Sequence, residues 1–192
     1  MKTSISRKKL RNDLNLPDKF TIVNPARLEI FQKRQDLIIK SLGKLKNELS
    51  NFHVIFTGAD KQYSRNIKIL TEMASFHSVP LSFITMPIKK VSQIYKLADL
   101  IVLPSRHESF GYAALESLSL EIKTVLTDIP PFIEIAKDNP QAHIWKEKND
   151  SLENTIIRAI NSEKGKTPSS WEKKYSLENW ALEYTNLIKK PL

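Results

Sequence analysis

The sequence predicts a three-layer α/β domain: a parallel sheet of about six strands with helices on both faces. Three observations carry that expectation. Short apolar or β-branched runs alternate with helical patterns almost from end to end, and repeated βα units call for a parallel sheet. The run DLIVLPS (99–105) is continuously apolar through its centre, as a strand buried on both faces requires. No internal repeat, low-complexity tract or flexible linker interrupts the alternation.

The elements follow in order. Residues 5–14 read as a short basic helix ending before Asn15–Pro17, and FTIVN (20–24) as a β-branched strand. Residues 33–49 place Ile38, Leu42, Leu45 and Leu49 at helical spacing. FHVIFTG (52–58) is a strand ending in glycine. Residues 61–77 form a helix through Ile67, Leu70, Met73 and Ala74. LSFIT (81–85) is the third strand, 89–97 a short helix, 99–105 the fourth strand and 110–119 a helix. KTVLT (123–127) is the fifth strand, followed by a short helix near 131–137. AHIW (142–145) fits a sixth strand, and 150–162 and 170–189 are helical, the last with a break near Tyr175–Ser176.

Bulk properties narrow the function. The 192 residues suffice for one substantial domain with its own core. Hydrophobic residues at 41% and charged residues at 27% describe a globular chain, not a disordered one. The absence of cysteine excludes disulfides and thiolate metal sites. The basic start, MKTSISRKKLRNDLN, lacks the apolar stretch of a signal peptide, and no apolar run reaches transmembrane length. The expected location is cytoplasmic. A net charge of +9 suits anionic partners, but the lysines are scattered among acids, which describes a solvated surface and no specific nucleic-acid footprint. Peripheral contact with an anionic membrane stays open, through the basic helix at 5–14.

In parallel sheets, ligands bind beyond the carboxyl ends of the strands. Those ends hold neither a G-x-x-x-x-G-K-[ST] loop nor a G-x-G-x-x-G turn, and the chain has only four glycines. A P-loop NTPase and a dinucleotide dehydrogenase are therefore disfavoured. The richest segment is LPSRHESFGYAALESLS. A buried strand ends at Pro104, a loop carries Ser105 to Glu108, and a helix opens around Phe110–Gly111. Helix N-termini present free N–H groups to phosphates or sugar hydroxyls, and Gly111 permits close approach to the backbone. Read as one helix, Glu108 and Glu116 would stand about 12 Å apart, beyond the roughly 5–9.5 Å of a glycosidase pair. They would instead touch different parts of one elongated ligand. Glu116 also shares a helical face with Ser109, Tyr112 and Ser119, which equally describes a solvated surface. After the first strand, Arg27 and Lys33 bracket a loop and could neutralise a diphosphate without a metal; they are also two of thirty basic residues. His107 has no partner at ligand spacing, so no metal site is expected.

Together these segments resemble the C-terminal domain of family 4 retaining glycosyltransferases of the GT-B fold. Glu108-Ser109-Phe110-Gly111 through Glu116 is similar to that family's Glu, seven residues, Glu pattern, and follows a strand ending in Leu103-Pro104-Ser105. Arg27 and Lys33 keep the family's five intervening residues. Phe56-Thr57-Gly58, Tyr95–Asp99, Thr127-Asp128 and Glu134 keep its order and spacing, over about residues 7–190. The resemblance implies a Rossmann-like donor-binding half for a nucleotide-diphosphate sugar, built on UDP or GDP. Glu116 would hold the ribose, Glu108 the transferred sugar, and Ser109 and the amides of Phe110 and Gly111 the sugar or diphosphate. Arg27 and Lys33 would stabilise the leaving diphosphate, with no metal or other cofactor. Gly58, Met86 and Pro87 complete the donor-binding positions. It further implies a separate N-terminal acceptor-binding domain, with residues 168–192, including Trp171, Trp180 and Tyr184, crossing back onto it and partly exposed. A nucleotide-sugar epimerase of the same shape and a degenerate non-catalytic subunit are the alternatives. The sequence departs from the family at Arg34 and Glu121, where glycines are usual, at Lys123 in place of proline, and at Pro130 and Pro131 in place of paired glycines.

Overall fold

The computed structural model describes residues 6–85, 91–179 and 182. Six strands stand where the apolar runs predict them: β1 (Phe20–Asn24), β2 (Phe52–Thr57), β3 (Leu81–Ile84), β4 (Leu100–Leu103), β5 (Lys123–Thr127) and β6 (Ala142–Trp145). They form one parallel sheet in the order β3-β2-β1-β4-β5-β6.

Strand alternation divides the core into two layers. Ile22, Val54, Leu100, Val102 and Val125 face one side. There they meet Ile38, Ile39 and Leu42 of α3 (Gln35–Lys44), Leu70 and Ala74 of α4 (Ser64–Phe76), and Ile156 and Ala159 of α8 (Leu152–Asn161). Val23, Ile55, Ile101, Leu103 and Leu126 face the other. Their partners are Leu10 of α1 (Arg7–Asp13), Ile94 and Tyr95 of α5 (Val91–Tyr95), Ala114 and Leu118 of α6 (Tyr112–Ser119), and Phe132 and Ile135 of α7 (Pro130–Ala136). Trp171 of α9 (Ser169–Lys174) closes this second layer. Burial on both faces explains why β4 reads as an unbroken apolar run.

The helix expected over 33–49 is instead two. The short α2 (Ile30–Lys33) ends and α3 begins at Arg34, whose backbone is left-handed at φ 56°, and α3 stops at Lys44. A left-handed non-glycine costs roughly 1–2 kcal/mol. The Arg34 side chain offsets it: the buried guanidinium grips both carboxylate oxygens of Glu147 and lies 5.2 Å over the Trp145 ring. The hydrogen bonds from Arg34 hold the Glu147 carboxyl below its usual range. The other unusual residues are likewise accommodated. Lys123 Nζ donates to the carbonyls of Ile160 and Ser162, fastening the end of α8. Pro130 and Pro131 occupy the first turn of α7, where N–H groups have no helical partner.

Among the described residues, no side-chain contact of Glu121 compensates in this way. It sits just past α6 at φ 55°. Its N–H donates to Leu118 O at 3.0 Å and that of Ile122 to Ser117 O at 3.0 Å, the paired closure that glycine normally serves. Glu121→Gly is therefore expected to raise stability by about 1 kcal/mol, read as a higher urea midpoint at unchanged slope. An unchanged or lower midpoint would refute backbone strain at this turn.

The end of the chain differs from expectation at Trp171. It is buried at 4% exposure, and its indole N–H donates to Ile135 O at 2.7 Å, so this aromatic packs on its own domain. Trp180 and Tyr184 lie outside the described residues. The break at Tyr175–Ser176 is present, between α9 and a further helical turn at 177–179. Among the described residues, no helix is long and apolar enough to cross a membrane.

Candidate functional site

The strand order reverses between β1 and β4, neighbours in the sheet separated by two βα units in sequence. Connections leave these two strands in opposite directions, and a crevice opens at their carboxyl ends. Asn24, the last residue of β1, is fully buried and donates to Val102 O of β4 at 2.8 Å. Gln35 Nε2 reaches Asn24 Oδ1 at 3.3 Å and Arg27 O at 2.9 Å, so the loop carrying Arg27 is tied to the seam. Gly58, at φ +69°, packs beneath that loop; a Cβ there would stand 2.8 Å from Arg27 Cα. Its contribution reaches the cleft through the loop.

The crevice is a cleft of about 490 Å³, lined from one side by Arg27, Gln32 and Lys33 and from the other by Glu108 to Ala113, with Tyr95 and Glu116 between α5 and α6. Lys33 Nζ meets Glu108 Oε1 at 2.7 Å. Both side chains are largely buried, at 12% and 16% exposure, where an ion pair is screened little by solvent. Ser105 donates to the same oxygen at 2.8 Å. Arg27 is exposed, its guanidinium held by Gln32 Oε1 at 2.7 Å, while Gln32 Nε2 donates to His107 O at 3.3 Å. The two loops are thus stitched together across the seam.

Helix α6 starts at Tyr112, later than the expected 110, behind Gly111 at φ +97°. A Cβ on Gly111 would come within 2.9 Å of Phe132 Cε1. Glu108 therefore lies in the loop, and the spacing of eight helical residues does not separate it from Glu116. Both acids line one cleft, as do Ser109, Phe110 and Gly111. Phe110 stays exposed, its ring 4.8 Å from that of Tyr112. Glu116, just over one turn into α6, accepts a short hydrogen bond from the Tyr95 hydroxyl. Met86 and Pro87 lie outside the described residues.

Two cations and two carboxylates thus converge at a topological switch point, beside the opening of a helix. That arrangement can hold a ligand that is anionic in one part and rich in hydroxyls in another. A model of the family described as glycosyl transferases group 1 matches residues 6–176. This chain belongs to that family. Among sequence relatives of the group 1 chain, an α-mannosyltransferase from Xanthomonas oryzae, named for GDP-mannose and a cellobiosyl-diphosphopolyprenol, is 38% identical over 56 residues, 29% of this chain and 15% of its own length. The O-antigen biosynthesis glycosyltransferase WclY of Escherichia coli is 29% identical over 129 residues, 65% of this chain and 33% of its own. Among solved structures, Anabaena HepE in complex with UDP and glucose superposes with a TM-score of 0.78 at 16% identity, covering 97% of this chain and 53% of HepE. The match extends the fold identification to one half of a GT-B architecture. The chain spans less than half the length of the curated relatives and about half that of HepE.

Sequence reasoning missed four residues of this group 1 site: Asn24, Gln32, Ser105 and Tyr95. Asn24 ends the first predicted strand and Gln32 falls in the loop that Arg27 and Lys33 bracket; the pairing of β1 with β4 brings them to their partners across the seam. A hollow of about 550 Å³ lies outside the same loop, beside Phe31, Arg34, Arg65 and Arg106. Its cations do not converge: Arg34 is engaged by Glu147 and Arg106 donates to Phe31 O at 3.0 Å.

Proposed function

We propose that this domain binds the nucleotide-diphosphate sugar donor of a glycosyltransferase, a UDP- or GDP-activated hexose. The observation that carries the reading is the largely buried Lys33–Glu108 pair at the switch point, in one cleft with Arg27 and Glu116. Lysine has three N–H donors, so Lys33 can keep Glu108 and still meet a phosphate. Arg27 adds a second cation with a planar fork suited to phosphate. As the bond from the anomeric carbon to the diphosphate breaks, its electron pair moves onto the diphosphate. Cations already in place there stabilise the transition state more than the ground state. Glu108 takes the sugar hydroxyls and Glu116 the ribose. The reading includes retention of anomeric configuration, no divalent-metal requirement, and an acceptor-binding domain that completes the enzyme.

The test is a calorimetric titration with UDP, GDP and ADP to millimolar concentration, with and without magnesium. One nucleotide should bind selectively, independently of the metal, and Glu116→Ala should weaken it by about tenfold or more. Absence of binding by all three would overturn the donor-site reading for this chain.

A further inference from the structure

We propose that Tyr95 is a positioning residue for Glu116, orienting its carboxylate for a vicinal diol of the bound ligand; the inference rests on the donor-site reading above. Tyr95 is 3% exposed and packs in the second core layer with Leu97, Leu118 and Leu103, yet its hydroxyl emerges at the cleft and donates to Glu116 Oε2. Glu116 is exposed on α6. An exposed glutamate has three free torsions and ordinarily samples several rotamers. The phenol comes from a different element, is immobilised by its buried ring, and occupies one of the roughly four acceptor positions of the carboxylate. The plane of the carboxylate is thereby fixed before a ligand arrives, with acceptor positions left for a bidentate contact. Burial, and then the hydrogen bond to Glu116 and its charge, push the Tyr95 hydroxyl well above its ordinary range, so it stays a donor at every working pH. Preorganisation of this kind raises affinity by removing the ordering cost from the binding step.

The same contact carries a specificity consequence. A carboxylate held in one plane distinguishes two adjacent hydroxyls from one, because the second hydroxyl finds its acceptor in place. A free carboxylate rotates to satisfy either ligand and distinguishes them less.

The experiment compares UDP, GDP and ADP with their 2′-deoxy counterparts by calorimetry, on the wild-type chain, Tyr95→Phe, Glu116→Gln and the double variant. Phe keeps the buried ring and deletes only the hydroxyl, and a thermal melt checks that the core survives. Wild type should favour its preferred ribonucleotide over the deoxy form by about tenfold. Tyr95→Phe should weaken the ribonucleotide by about fivefold and the deoxynucleotide by less than twofold, shrinking the discrimination. In the Glu116→Gln background, Tyr95→Phe should change neither. A wild type that binds no nucleotide, or does not discriminate, removes the premise that Glu116 meets a ribose. A wild type that discriminates, with Glu116→Gln abolishing the effect and Tyr95→Phe preserving it, overturns the role of Tyr95 alone. Equal weakening of both ligands by Tyr95→Phe also overturns it, in favour of a purely structural contact.

Discussion

Replacing Lys33 with alanine is expected to weaken nucleoside diphosphate binding by about a hundredfold. A charge-assisted hydrogen bond to phosphate accounts for about 1.5–3 kcal/mol, or roughly one to two powers of ten. The remainder comes from Glu108, which Lys33 neutralises at 2.7 Å and which would then face the incoming diphosphate as a bare anion. The loss should follow the phosphates, so the unphosphorylated nucleoside should bind within about threefold of wild type. The same substitution strips a largely buried carboxylate of its charge partner, leaving Ser105 as its donor; a stability loss of about 1–3 kcal/mol follows. The two effects separate in the double variant Lys33→Ala/Glu108→Gln. Neutralising the carboxylate should restore most of the stability, while the diphosphate still lacks its cation. Full recovery of binding in the double variant would show that Lys33 serves Glu108 rather than the ligand.

Gly58→Ala should be among the most damaging single substitutions. At φ +69° an alanine carries about 1–2 kcal/mol of backbone strain. Its Cβ would also stand 2.8 Å from Arg27 Cα and 3.1 Å from Ala26 O, both backbone atoms that cannot rotate aside. A total of about 3 kcal/mol is expected, lowering the melting temperature by roughly 6–12 °C in a domain of this size. Because the atom displaced is the Cα of Arg27, the Arg27–Gln32 and Gln35–Arg27 bonds should loosen as well, and nucleotide affinity should fall with stability. A melt within two degrees of wild type would mean that the loop can move away freely, and that Gly58 does not set its position.

The sheet was legible in the sequence because β4 is apolar along its whole length, as a strand buried on both faces allows, and β1, β2 and β5 are short β-branched or apolar runs set between helical patterns. Helix ends were less legible. The turn at Arg34 is left-handed without a glycine to advertise it, since its support comes from Glu147 and Trp145, more than a hundred residues away. The start of α6 was misplaced by two residues because Gly111 is the cap and not the first helical residue. The site residues Arg27, Lys33, Glu108 and Glu116 were nameable from spacing and resemblance, and the structure brings all four to one cleft. Their mutual contacts were not nameable. That Lys33 pairs with Glu108, or that Tyr95 reaches Glu116, depends on β1 lying beside β4, which hydrophobic periodicity cannot specify.

The pairing of Lys33 with Glu108 joins residues 75 positions apart, with β2, α4 and β3 wound outward between them. Each wall of the cleft alone is a fragment with no partner surface, so the cleft exists only once the central seam has closed. A ligand gripping both walls would therefore act as a rivet through the middle of the sheet. Its binding energy would appear as slower global unfolding and protection of β1 and β4 amides from exchange, rather than as the stiffening of a peripheral loop.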